Sequence, residues 1–127
     1  MAIDTSMKVL VVDDFATMRR IVKGVLKQLG FSNIVEAEDG TAALDALKKE
    51  KVGLIVSDWN MPKMSGLDLL KAVRADEDTA RIPFIMVTAE AQQDHIIQAV
   101  KARVSQYIVK PFTAETMQEK LDKVFGS

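Results

Sequence analysis

Asp13 and Asp14 follow the apolar run Val9–Val12, Asp58 follows Leu54–Ser57, Thr88 follows Phe84–Val87, and Lys110 follows Tyr107–Val109. If these runs are parallel strands, all five side chains leave the sheet at one edge. Three carboxylates gathered there repel one another and resist full ionisation unless a cation stands among them. Ligands that are all oxygen select a hard ion, and Mg²⁺ suits a site with one or two carboxylates and several waters. A carboxylate beside such an ion can attack a phosphoryl group and become an aspartyl phosphate. Positioning and charge neutralisation do the rest, with Lys110 as the cation and Thr88 as a donor to a phosphate oxygen. Asp58 stands alone after its run, so it is the expected nucleophile, and the pair Asp13/Asp14 supplies metal carboxylates. Singly, each residue has a plainer use: Asp14 and Thr88 as helix N-caps, Asp58 in a turn, Lys110 on the surface. Their meeting at one edge is what points to phosphoryl transfer.

The elements that must position them follow from the apolar pattern. Lys8–Val12 is too short for a helix and unbroken enough for a strand buried on both faces. Asp14 is the expected N-cap of a first helix carrying Met18, Ile21, Val22, Val25, Leu26 and Leu29 on one stripe, stopped by Gly30. Ile34–Ala37 reads as a weaker strand, and Gly40–Lys49 as a helix with Ala43, Leu44 and Leu47 inward. After the strand Leu54–Ser57, the loop Asp58–Gly66 leads to a helix ending near Arg74. The polar segment Ala75–Arg81 then precedes the strand Phe84–Val87. A fourth helix spans about Ala91–Ala102, with Ile96, Ile97 and Val100 apolar. Tyr107–Val109 is the last strand, and Met117, Leu121, Val124 and Phe125 form the stripe of a fifth helix. Five strands alternating with five helices predict an α/β fold, a parallel sheet with helices on both faces joined by right-handed crossovers.

Composition narrows the field of functions. The 127 residues fit one domain, and 48% hydrophobic with 28% charged residues is ordinary for a globular chain. A net charge of −1 carries no nucleic-acid footprint. The absence of cysteine removes disulfides, thiolate metal sites and thiol nucleophiles. No apolar run approaches ~18 residues, and Met1–Lys8 has no signal-peptide core. These features predict a cytoplasmic protein bound to neither membrane nor nucleic acid. Residues 1–6 read as a loose leader, and the core as about 8–125 of a single domain over 1–127. With the chain ending where the fold ends, its output is expected through a surface.

The strings VVDDF, SDWNMP, SGLDLL, MVTAEA and YIVKPFTA resemble those of the response-regulator receiver family, in order and from about Lys8 to Phe125. The resemblance implies a flavodoxin-like doubly wound sheet in the order 2-1-3-4-5. Chemotaxis receivers are themselves the standard example of that order, so it comes from the resemblance and not from the spacing. It further implies that Asp58 is phosphorylated by a histidine kinase or a small acyl phosphate. Asp14, Asp58 and the backbone carbonyl of Asn60 would hold Mg²⁺, with Asp13 assisting through water. Thr88 and Lys110 would grip the phosphate, and Tyr107 would be the switch aromatic whose rotamer follows Thr88. The Lys110–Pro111 bond would be cis, as such bonds are at X–Pro alone. The implied role is a monomeric two-component switch in chemotaxis and not a turnover enzyme. It would take up phosphate from acyl phosphates and lose it slowly. Its output would pass through the fourth helix, fifth strand and fifth helix to the flagellar motor switch, with a phosphatase as a further partner. Phosphate storage or a non-motor target is the alternative output.

Several residues depart from the family pattern on that output face. Gln92 and Gln93 stand where motor-binding members often have basic residues, Arg103-Val104 where Gly-Ala is frequent, and Gln106 where Gly is frequent. A non-glycine residue forced into a left-handed helix end costs on the order of 1 kcal/mol. Trp59 is expected to anchor its loop, the methionines to fill the core, and His95 to lie on the surface. A haloacid-dehalogenase-type phosphatase would need an acid where Asn60 stands, and a flavodoxin-like electron carrier a phosphate loop where Asp13-Asp14-Phe15 stands.

Overall fold

A computed structural model describes residues 3–89 and 93–126. The elements in chain order are β1 (Lys8–Val12), α1 (Ala16–Gln28), β2 (Asn33–Ala37), α2 (Gly40–Lys49) and β3 (Leu54–Asp58), followed by α3 (Gly66–Ala75), β4 (Phe84–Thr88), α4 (Gln93–Lys101), β5 (Gln106–Val109) and α5 (Ala114–Phe125). The strands form one parallel sheet in the order β2-β1-β3-β4-β5. The doubly wound architecture and its order are those expected.

Strand periodicity divides the core in two, because successive side chains point to opposite faces. Val9, Val11, Leu54, Val56, Ile85, Val87 and Ile108 pack with Val22 and Leu26 of α1 and Met117 and Leu121 of α5. Leu10, Val12, Ile55, Phe84 and Met86 face the other way, onto Ala43 of α2, Leu69, Leu70 and Val73 of α3, and Ala99 of α4. β3 and β4 are buried along their whole length, which is why their sequences run apolar without alternation.

Two local expectations are corrected, and α4 buries a residue that the apolar pattern did not single out. Asp14 does not cap α1: the N-cap position is Phe15, without a side-chain cap bond. Instead Asp13 Oδ1 accepts the Phe15 N–H at 2.9 Å, so the first aspartate closes the turn and leaves the second unspent. On α4, Ile97 and Val100 are exposed, and small Ala99 is the buried residue. Ile21 of the α1 stripe is exposed too. α2 and α5 carry real caps, Asp39 accepting from the Ala42 N–H and Thr113 from the Thr116 N–H. Gly30 ends α1 with φ 105°, as a left-handed stop requires.

Candidate functional site

Register brings the chemistry to one edge. Val12 of β1 pairs with Ser57 of β3, so Asp13 and Asp58, the next residue of each strand, come side by side. Asp58 in turn pairs with Val87, placing Thr88 one step further out on β4, and Thr88 pairs with Val109, one residue before Lys110. Asp58 and Thr88 are the last residues of their strands, where the apolar runs had suggested loop positions just beyond them. The backbone continues the sheet past these ends: Trp59 N–H donates to the Val87 carbonyl at 3.0 Å and Lys110 N–H to the Thr88 carbonyl at 2.8 Å.

The carboxylates of Asp13, Asp14 and Asp58 each offer an oxygen within 4.8 Å of the others, a set that could hold a metal ion. Lys110 Nζ donates to Asp58 Oδ1 at 3.1 Å and lies 3.7 Å from Asp13 Oδ2. Burial pushes the Asp13 carboxyl above its ordinary value, and the charges of Asp58 and Asp14 add to the push; the Phe15 N–H and Lys110 oppose it. Burial likewise raises Asp58, against the hydrogen bond and charge of Lys110. One ammonium therefore does not neutralise this edge. Asp14 Oδ1 is buried and has no hydrogen-bond partner, an unsatisfied anionic acceptor beside two others. An all-carboxylate donor set with a spare lone pair is the chemistry that a hard divalent cation satisfies, so these residues fit Mg²⁺.

The loop after β3 is held tightly against this edge. Ser65 caps α3 by accepting from Asp68 N–H, and Gly66 N–H donates to the Trp59 carbonyl at 2.8 Å. A Cβ on Gly66 would collide with the Asp58 backbone carbonyl, so only glycine lets α3 start this close to the acceptor strand. Asn60 is exposed at the head of the loop, with its backbone next to the acidic group in sequence. Lys110–Pro111 is cis, as the family resemblance implied.

The sequence matches the response regulator receiver domain family over residues 9–122. The chain belongs to that family. Among similar proteins, chemotaxis protein CheY-3 of Vibrio cholerae is 57% identical over 123 residues, covering 97% of this receiver and 95% of that protein. Chemotaxis protein CheY of Pseudomonas aeruginosa is 56% identical over 119 residues, covering 94% and 96%. The structure of V. cholerae CheY4 superposes with TM-score 0.87 at 34% identity, covering 94% of this receiver and 98% of that chain. The receiver domain of a P. aeruginosa sensor histidine kinase, solved with magnesium coordinated in its active-site cleft, gives TM-score 0.85 at 26% identity, covering 96% and 99%. This receiver is thus a response-regulator signalling domain of the chemotaxis kind, and neither a dehalogenase-type phosphatase nor an electron carrier.

The remaining sequence expectations divide. Trp59 is buried and does anchor its loop. His95, expected on the surface, is half-buried, with its ring stacked on Trp59 at 4.4 Å; nothing in its sequence neighbourhood gave a sign of this. Tyr107 lies half-buried on the α4 side of the sheet, with Lys120 Nζ 5.3 Å from its ring centroid. Arg103 has φ 66°, so the left-handed helix end is present and occupied by arginine. Gln106 is an ordinary strand residue paired with Ile85. Gln92 and the side chain of Gln93 lie outside the described residues. Among the described residues no helix is long and apolar enough to cross a membrane.

Proposed function

We propose that this receiver is a single-domain phosphoacceptor switch in which Asp58 takes a phosphoryl group from a histidine kinase or an acyl phosphate. The observation that carries the reading is Asp58 held between Lys110 at 3.1 Å and the two other carboxylates, with Asp14 Oδ1 unsatisfied. Asp14, Asp58 and the Asn60 carbonyl are the proposed Mg²⁺ ligands, with Asp13 assisting. When bound by these residues, Mg²⁺ would supply charge neutralisation for the phosphoryl transfer. An Asp58 carboxylate oxygen attacks phosphorus; the bond from phosphorus to the donor's nitrogen or acyl oxygen breaks, and its electron pair leaves with the donor. Lys110 shifts from the Asp58 carboxylate to a phosphate oxygen, and Thr88 donates its hydroxyl to another. With no acid at Asn60, the chain offers no second carboxyl in the loop to drive rapid turnover, which favours a lasting phosphoryl state.

The phosphoryl state is read through α4, β5 and α5. Phosphate oxygens draw Thr88 inward, Tyr107 packs behind it, and the exposed apolar residues Ile97 and Val100 of α4 sit on the surface so altered. The flagellar motor switch is the proposed partner. Incubation with acetyl phosphate and Mg²⁺ tests the acceptor: intact mass gains one phosphoryl group in the wild type and none in Asp58→Asn. Uptake by Asp58→Asn at the wild-type rate would overturn the assignment.

A further inference from the structure

His95 is the chain's one histidine, and it lies in the first turn of α4. Its ring stacks on Trp59, centroids 4.4 Å apart and planes inclined by 10°. Trp59 directly follows the acceptor Asp58, so the stack ties the phosphorylation loop to the helix that begins the output face. The two rings, with Met86, Thr88 and Tyr107 on the sheet side, line a partly open hollow of about 10 Å³. That space holds at most about one water, and not a phenol ring. Tyr107 already borders this space beside Thr88, so drawing its ring further in must displace one of the groups that line it, the stacked pair among them.

The contact is also built to let go. His95 Nδ1 is buried and has no hydrogen-bond partner, so no hydrogen bond at that nitrogen holds the ring in the stack. Releasing it breaks no hydrogen bond at Nδ1, and returning that nitrogen to water recovers its solvation.

We propose that the Trp59–His95 stack is a latch that holds the resting state: it keeps the first turn of α4 over the hollow, and the switch closes on Tyr107 only when the stack opens. His95 is thus a positioning residue for the switch, acting through Trp59 and Tyr107 without touching phosphate. The inference rests on the reading of Thr88 and Tyr107 given above, and it assigns His95 the part that sets the resting equilibrium.

The chain's one tyrosine makes the test direct. With 3-fluorotyrosine at position 107, the solvent-isotope shift of the fluorine signal reports ring exposure in the unphosphorylated protein. His95→Ala and His95→Asn, both without a stacked ring, should lower that exposure and speed phosphoryl uptake from acetyl phosphate about 2- to 10-fold, the range of an aromatic pair. His95→Phe, which keeps a ring on Trp59, should leave both at wild-type values. Unchanged Tyr107 exposure in the ring-free variants, or a shift in His95→Phe as large as in His95→Ala, would overturn the latch. The exposure measurement needs no phosphorylation, so failure of the acceptor reading, seen as a wild type that takes up no phosphoryl group, is a separate result.

Discussion

At the residue scale the acidic edge works against folding when no cation is present. Asp13 is 2% exposed and faces two other carboxylates, and its carboxyl is pushed above the ordinary range. Asparagine keeps the oxygen that accepts the Phe15 N–H and removes the charge. Asp13→Asn should therefore stabilise the metal-free protein, by about 1 kcal/mol in urea unfolding. It should also weaken the stabilisation that Mg²⁺ confers on the wild type. A variant less stable than wild type without metal would show that Lys110 already balances this edge. The residue types and their strand-end positions were legible in the sequence, because a strand buried on both faces must end where polar residues begin. The division of labour between Asp13 and Asp14 was not. Which aspartate bonds the Phe15 N–H depends on backbone direction after β1, and that is set by the fold rather than by either residue.

Elements are where local signals were clearest and where tertiary packing most often overrode them. α2 spans the expected residues because Asp39, Ala43 and the terminal lysines agree locally. Its cap gives a pH signature: the Ala42 N–H, then the Thr41 hydroxyl, hold the Asp39 carboxyl below its ordinary value of 3.8. A lowered carboxyl contributes stability that is present above 3.8 and lost as pH falls through its folded value. Asp39→Ala should therefore be less stable than wild type at neutral pH, and the gap should narrow below 3.8 in acid titrations of urea unfolding. A gap independent of pH would mean that the carboxylate is not the capping group. α4 went the other way. Its large apolar residues Ile97 and Val100 are exposed, and the helix buries small Ala99, a residue that a search for large apolar side chains overlooks. The end of α4 is strained instead of being shaped by glycine. Val104 N–H donates to the Ala99 carbonyl at 3.0 Å around Arg103, whose φ is 66°, and Arg74 Nε donates to the Arg103 carbonyl at 3.0 Å. Arg103→Gly keeps both bonds and removes the left-handed penalty, so it should raise stability by about 0.5–1 kcal/mol in urea unfolding. Loss of stability there would assign the larger share to Arg103 Nη2, which donates to the Arg74 carbonyl at 3.3 Å.

For the whole molecule, the alternation of strands and helices gave the architecture, and the family resemblance gave the strand order that alternation alone leaves open. One sheet serves both hydrophobic clusters, so neither half of the core can melt without the strands that the other half shares. Trp59 fluorescence reports one cluster and far-ultraviolet circular dichroism reports the backbone; the two should give one coincident urea transition. Anything that binds the native edge and not the unfolded chain must then stabilise the entire unit. Mg²⁺ at ten times its dissociation constant contributes RT ln 11, about 1.4 kcal/mol. For a domain of this size that raises Tm by about 5 °C. The gain should be largely abolished in Asp58→Asn and Asp14→Asn. A shift of equal size in those variants would place the ion elsewhere on the surface. No shift in the wild type would mean that Asp14 Oδ1, buried and without a partner, answers to something other than a divalent cation.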